Sequence, residues 1–290
     1  MSSDTAHAIA RAAYTTFEPF HITAYFNPML GSVGEKTGLD GHAWYVGSRA
    51  AVMGACPASV VAAAFYNFNP ALIERVWPKA LEVGLSTIAD HRWSMMDKVL
   101  SDALGPLAID PELAKVAGRL HDIGDTAVFA GRPLASAWHT SRRPDEPHLT
   151  LWHALAVIRE WRGDGHIAVL VDAELDPTEA VVFHEATHPD PKARRVLGKR
   201  ITQLTRQWSD EEWAAAAERL QARGLVTRTD EKEALTDGGV TLDAHIEQRT
   251  DALSASIWRG VADAEELVKS VRPYSKAIID AGILPGTKKR

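Results

Sequence analysis

The sequence predicts a mostly α protein, with a helical N-terminal region over residues 1–145 and a second helical region, 146–290, that carries a winged helix. Three observations predict it. Apolar residues recur at helical spacing along most of the chain, and clear alternating strands are nearly absent. Proline and capping residues open one segment after another. Towards the C-terminus a helix pattern is followed by two short β-prone runs around a charged turn, at about 225–237, and then by another helix pattern.

Composition bounds the rest. A chain of 290 residues with 46% apolar content can bury a sizeable core or form two ordinary domains. A net charge of −6 does not steer it globally towards nucleic acid or an acidic membrane. The single cysteine, Cys56, excludes an intramolecular disulfide framework and fits a reducing cytosol. It precedes Pro57 in an alanine-rich stretch and reads as a small hydrophobe rather than a nucleophile. The N-terminus has no basic segment followed by an apolar one, so no signal peptide is expected. The most apolar stretch, residues 50–66, is shorter than the ~20 residues of a membrane span and is interrupted by Pro57. Two short buried helices are expected there, in a cytoplasmic protein without a membrane partner.

Residues 4–20 read as a helix burying Ala8, Ala12 and Phe20. Gly31, Gly34, Gly38 and Gly41 mark an irregular connection. Helices follow at about 48–66, at 70–83 with Pro70 in its first turn, and at 88–104, stopped by Gly105-Pro106. Asp110 caps the next helix and Pro111 starts it. SRRPDEPH, 141–148, is a polar break and the domain boundary. LTLWHALAVIREW then forms a helix closed by Arg162-Gly163-Asp164-Gly165, with another helix at about 166–175. In LDPTEAVVFHEATHPD, Asp176, Pro177 and Glu179 form a capping-box arrangement, and Pro189 closes that helix at His188.

WSDEEWAAAAERLQARGLV has Ser209 as N-cap, acids in its first turn and Gly224 as its stop. Strand-prone Leu225 to Thr229, the turn TDEKE, and Ala234-Leu235-Thr236 come next, before a helix at about 238–254. This part resembles the MarR group of winged-helix regulators, in which R-G-L-V ends the recognition helix and L-T-x-x-G starts the helix after the wing. Here the matching residues are Arg223-Gly224-Leu225-Val226 and Leu235-Thr236-Asp237-Gly238-Gly239, with Gly239 keeping the glycine spacing. More widely the chain is similar to an actinobacterial family of helix-turn-helix proteins. That resemblance rests on AFYNFNP (64–70), RGDGHIAVLVDAELDPTEAVVFHEATH, WSDEEWAAAAERLQARGLV and IEQRTDAL (246–253), in order along most of the chain. It implies a mostly helical protein with a winged helix and brings no catalytic residues. The family pattern does not generally carry both histidines of HEATH, which counts against a shared zinc site.

HEATH itself spells H-E-x-x-H. On one helix His184 and His188 would project from the same face as zinc ligands, with Glu185 as general base of a hydrolase or lyase. Pro189 directly after His188 and the lack of a clear third ligand weigh against it; Glu211, Glu212 and His166 are the nominal choices. No metal or other cofactor is therefore favoured, with zinc as the alternative. LHDIGD, 120–125, carries the His-Asp pair of HD-type phosphohydrolases, with His91 and Asp164 or Asp172 as nominal partners. Such a dipeptide is expected about once by chance, and Asp122 reads more simply as a solvated helix residue. No phosphate-binding glycine loop and no serine-hydrolase elbow is present.

For nucleic acid, the basic run 191–207 offers Lys192, Arg194, Arg195, Lys199, Arg200 and Arg206, joined by Arg228 and Lys232 on the hairpin. Arg194, Arg195, Lys199, Arg200 and Arg228 are the DNA-contact candidates, although Asp210-Glu211-Glu212 presents the wrong sign at the start of the recognition helix. Of nine tryptophans, Trp138, Trp152 and Trp161 fall near His139, His148, His153 and His166. They fit core spacing. They also suit a small-ligand pocket, with Trp138, His139, Trp152, His153, Trp161 and His166 as its candidates. The favoured expectation is a regulator-like binding protein, a homodimer, that holds a small apolar or aromatic ligand while its winged helix contacts DNA or a protein. The alternatives are the HEATH enzyme and a sequestering or dimerisation module that binds no DNA.

Overall fold

The computed structural model describes residues 3–193, 196–229 and 232–288. Its helices are α1 (Ser3–His21), α2 (Leu30–Thr37), α3 (Gly41–Ala50), α4 (Ala58–Phe65), α5 (Pro70–Val83), α6 (Leu85–Leu104) and α7 (Pro111–Asp125). They continue with α8 (Pro133–His139), α9 (Pro147–Asp172), α10 (Pro177–Glu185), α11 (Lys199–Arg206), α12 (Asp210–Ala222), α13 (Asp237–Ser254) and α14 (Ala264–Asp280). One hairpin, β1 (Val226–Thr229) and β2 (Lys232–Leu235), precedes α13. The mostly α prediction holds. Among the described residues no single helix is long and apolar enough to cross a membrane.

The chain forms two compact units, each assembled from separate stretches. The first takes Met1–Cys56, Val76–Gly165 and Asp251–Arg290; the second takes Pro57–Arg75 and His166–Thr250. The break expected at 141–148 does leave the helices, from Thr140 to Glu146, and lies within the first unit.

In the first unit α1 packs along α14, and Ser275 Oγ donates to the Thr16 carbonyl at 2.6 Å. The buried face of α1 is Ile9, Ala10, Ala13, Phe17 and Phe20. Of the expected Ala8, Ala12 and Phe20, only Phe20 is buried; Ala8 is exposed and Ala12 half-buried. The large side chains Ile9 and Phe17 set the face, because they remove far more apolar surface from water than alanine does. Deep in this unit Arg49 grips Glu160 with two hydrogen bonds of 2.7 Å. Burial pushes Glu160 up, but the guanidinium prevails and holds the carboxyl below its ordinary value.

Several local expectations need correction. The glycine-marked connection contains α2: Gly31 and Gly34 are helical, Gly38 ends the helix at φ 69°, and Gly41 opens α3. Residues 50–66 are one short helix, α4, after a 3-10 turn at Ala51–Met53, and exposed Gly54 and Ala55 lie between them. Arg162-Gly163-Asp164-Gly165 does not close a helix, since α9 runs through it for 26 residues. A glycine stop needs the left-handed conformation, which neither Gly163 nor Gly165 adopts. Gly165 instead makes room: a Cβ there would come within 2.6 Å of the Arg132 guanidinium, which stacks 4.1 Å from the Trp161 ring. Asp164 Oδ2 accepts from the Ala135 N–H at the start of α8, at 2.9 Å.

In the second unit the predicted capping box forms at Asp176–Glu179, and Ser209, expected as an N-cap, forms a second box with Glu212. The hairpin pairs Val226 with Leu235 and Thr229 with Lys232. Gly224, at φ 69°, makes the turn from α12 into β1. Among the described residues of the basic run 191–207, Lys199–Arg206 are helical.

Candidate functional site

Three residues, Gln207, Trp208 and Ser209, connect α11 to α12. A helix, a short turn and a second helix is the arrangement that offers the second helix to a partner. The turn is tight because Gln207 takes the left-handed conformation, at φ 62°. AFYNFNP braces it from outside. The Asn69 N–H donates to Arg206 O at 3.0 Å, and Asn69 Nδ2 to Gln207 O at 3.0 Å. Trp208 Nε1 donates to Asn67 O at 3.0 Å, and Arg206 lies 4.1 Å over the Phe68 ring. Asn69 also caps α5 through Ala71 N at 2.9 Å. Asn67 and Asn69 were not among the expected site residues; the Asn-Pro capping signal marked the second, but nothing local pointed to its partners 138 residues away.

One face of α12 buries Trp213, Ala216, Ala217 and Leu220, leaving Glu211, Ala215 and Glu218 exposed. Its arginines turn back onto α10. Arg219 donates to Glu179 Oε1 at 3.0 Å and Asp176 Oδ2 at 2.5 Å, while Arg223 donates to Glu174 O at 2.7 Å and Ala173 O at 2.9 Å. Among the DNA-contact candidates, Lys199 pairs with Asp210 at 2.8 Å and Arg228 with Glu218 at 3.5 Å, whereas Arg200 is exposed. Lys192 and Lys232 are exposed as well. Arg194 and Arg195 lie outside the described residues. Leu197, before α11, and Ile201 and Leu204 on it are 55%, 50% and 64% exposed, the last two three residues apart on one helical face.

Behind α11 the same unit encloses a cavity of about 280 Å³. Leu170, Val181, Phe183 and Ile246 form apolar walls; His166, His184, Glu185, Arg206, Asp243 and Glu247 bring polar groups. Thr202 also lines it, and its buried hydroxyl has no partner among the described residues. Thr250 Oγ1 gives its proton to Ile246 O, so His166 Nδ1, 3.0 Å away, is the donor to that hydroxyl. Half of HEATH therefore faces this cavity, but the motif does not sit on one helix. α10 ends at Glu185, and Ala186 is extended at ψ 141°. Thr187 then pairs with the hairpin: its N–H donates to Glu233 O, and it accepts from Leu235 N, both at 2.9 Å. His188 folds onto its own loop, where Asp190 N donates to Nδ1 at 2.9 Å. Glu185 accepts from Gly198 N at 2.7 Å and lies 3.1 Å from His184 Nδ1. Burial pushes this carboxyl up, and those two hydrogen bonds hold it below its ordinary value. Among the described residues no three His, Cys, Asp or Glu side chains are gathered to hold a metal.

The aromatic candidates separate. In the first unit Trp138, Trp152 and His153 are all fully buried, with the two indoles 5.3 Å apart, edge to face. Arg92 inserts between Trp93 and Trp138 at 4.9 and 4.5 Å, and burial lowers its pKa to about 10. His153 stacks on His121 at 5.1 Å; burial, then the neighbouring His121, lower it to about 3. His139 and Trp161 both flank Phe129, at 4.7 and 5.4 Å. His166 lines the cavity of the second unit. In LHDIGD, His121 turns inward while Asp122 is exposed beside Arg119 at 3.5 Å, so the pair does not converge.

No curated protein and no solved structure shows significant similarity to the chain. A family model described as a helix-turn-helix family matches residues 10–285, a span that takes in AFYNFNP, the braced turn between α11 and α12, the β1–β2 hairpin and α13. By that match over nearly its whole length, the chain belongs to this helix-turn-helix family.

Proposed function

We propose that the protein is a ligand-responsive regulator, acting in the cytoplasm, whose second unit is a MarR-like winged helix that contacts DNA. The observation that carries this reading is the order of elements: α10, the Thr187 bridge, α11, the three-residue turn, α12, the β1–β2 wing and α13. Membership of a helix-turn-helix family supports it. Phosphate contact falls to the exposed cations of α11 and the wing, Arg200 and Lys232, together with Arg194 and Arg195. Arg219 and Arg223 are structural. The ligand sits in the cavity behind α11, where apolar walls suit a small apolar or aromatic molecule and His166, His184 and Arg206 orient it. A ligand that favours one placement of α11 shifts the population of DNA-competent molecules.

The test is fluorescence anisotropy with duplexes from the gene's own neighbourhood, titrated at 50 to 200 mM salt. Binding that weakens steeply with salt is expected, with Arg200→Ala reducing the salt slope by about 1. No binding at the lowest salt sinks the DNA reading. A second reading, a dimerisation module without DNA contact, is favoured by the exposed Ile201 and Leu204 of α11, with exposed Leu197 just before it, beside a largely neutralised α12. It predicts that Ile201→Glu turns a salt-insensitive dimer into a monomer in sedimentation.

A further inference from the structure

The cavity behind α11, of about 280 Å³, lies at the small end of ligand pockets, with room for a one-ring molecule and a short arm. Its apolar wall comes from α9 and α10, through the buried side chains of Leu170, Val181 and Phe183. α13 contributes differently. Asp243, Ile246 and Glu247 line the cavity, and with Thr250 they occupy one face of that helix. Ile246 and Thr250 are buried, and His166 Nδ1 on α9 donates to Thr250 Oγ1 at 3.0 Å. That contact turns this face of α13 inward. Asp243 and Glu247 on it are half-buried and keep accessible surface.

Charge is unevenly divided over this lining. Three carboxylates, Glu185, Asp243 and Glu247, stand with one guanidinium, Arg206, an excess of two negative charges while His166 and His184 are neutral. Burial pushes the Glu185 carboxyl up, but His184 at 3.1 Å and the Gly198 N–H at 2.7 Å hold it below its ordinary value, so it is ionised. Both its oxygens are engaged by those contacts, and it adds field rather than a contact for a ligand. Arg206 lies 4.1 Å over the Phe68 ring, and one guanidinium offsets at most one of the three carboxylates. Asp243 and Glu247 are like charges four residues apart on one helix face, and such pairs repel. Apolar walls concentrate that field inside a cleft. A neutral molecule gains little from it, an anion is opposed by it, and a cation relieves it.

We propose that the cavity behind α11 takes a small cationic amine with an aromatic body, whose ring packs on Leu170, Val181 and Phe183 and whose ammonium group donates to Asp243 and Glu247. The acidic pair selects the charge through charge-assisted hydrogen bonds, and the volume limits the body to a single ring. This deepens, and rests on, the reading of that cavity as the ligand site; it does not depend on DNA binding.

Calorimetry on the full chain at low salt compares three probes of similar shape: phenethylamine, phenethyl alcohol and phenylacetate. The amine should bind about fivefold more tightly than the alcohol, and phenylacetate should bind weakest. Added salt should narrow the gap between amine and alcohol. Asp243→Asn with Glu247→Gln keeps the shape of the lining. It should weaken the amine about fivefold and leave the alcohol unchanged, which also shows that the variant folds and keeps its cavity. The three probes on the unaltered chain decide the matter even where the variant does not fold. Alcohol or phenylacetate binding as tight as that of the amine, or an amine unaffected in the double variant, overturns the cationic ligand and leaves the ligand site standing. Saturable binding of none of the three overturns the site itself, and the cationic ligand with it.

Discussion

The α-carbon of Gly239 stands against the carbonyl of Leu225, so closely that a Cβ would collide with the oxygen and lie 3.2 Å from Leu235 Cδ2. Thr236 completes the junction: its N–H donates to Leu225 O at 3.1 Å, its hydroxyl donates to Gly224 O at 2.6 Å, and Gly239 N donates to that hydroxyl at 3.0 Å. This lock joins the end of α12, the base of the β1–β2 hairpin and the start of α13. It gives L-T-x-x-G its physical meaning, and it requires the glycine at 239 rather than at 238, where a Cβ would rest 3.4 Å from Gly224 O. Gly239→Ala should therefore cost about 2–4 kcal/mol in urea unfolding, while Gly238→Ala changes stability by less than about 1 kcal/mol. Equal losses at the two positions would sink the argument.

Arg219 should matter for folding rather than for nucleic acid. It holds Glu179, only 5% exposed, across 40 residues of sequence. Removing it leaves Glu179 Oε1 without this partner, while Arg223 and the Asp176 N–H still hold Oε2. Arg219→Ala should lower unfolding free energy by about 1 kcal/mol, and adding Glu179→Gln should recover part of it. A single variant as stable as wild type, or a double variant worse than the sum, would show that the Arg219 contact contributes nothing.

Acid should unfold the first unit through its buried histidines. Burial, then the Arg159 guanidinium, lower His21 to about 4; His153 lies at about 3. In the unfolded chain both titrate near 6.5. Between about pH 6.5 and 4 the unfolded chain takes up protons that the fold refuses, so stability rises with pH there and is lost as pH falls. The two groups together give a slope of about 2.7 kcal/mol per pH unit near pH 5. Asp164, raised to about 6 by burial, has the opposite sign between about pH 4 and 6 but cancels in a comparison of variants. His153→Gln should remove about half of the histidine slope in urea titrations at pH 5 and 7. An unchanged slope would mean that His153 is protonated in the fold.

Much of this was legible in sequence because it is local. Asp110, Asp176 and Ser209 announce their caps within three residues, and the order of α12, a two-stranded hairpin and α13 could be read from Gly224, the two β-prone runs and the charged turn between them. What escaped is tertiary. Gly163 and Gly165 look like a stop until Arg132 occupies the space beside them. The basic run 191–207 looks like a phosphate-tracking face, yet Lys199 and Arg206 are drawn to Asp210 and Phe68. The tryptophan and histidine cluster at 138–166 is spread by its helices over three environments, of which only that of His166 opens onto a described cavity larger than a water molecule.

HEATH shows how backbone pairing decides what a motif can do. A zinc helix needs both histidines on one face, but Thr187 is recruited to the hairpin by Glu233 and Leu235, so the helix ends between them. Glu185, the nominal base, is occupied by Gly198 N, which ties the start of α11 to the end of α10. Elemental analysis of untagged protein, purified without added zinc or chelator, should therefore give well under one zinc per chain, unchanged by His184→Ala. Glu185→Gln should lower stability by about 1–2 kcal/mol, because it weakens a charge-assisted hydrogen bond. That loss should fade in acid: the Glu185 carboxyl is held low, so it stabilises the fold above its unfolded pKa and stops doing so as pH falls through its folded one. One zinc per chain, lost in His184→Ala but kept in Glu185→Gln, would instead make HEATH a metal site and require Thr187 to leave the hairpin.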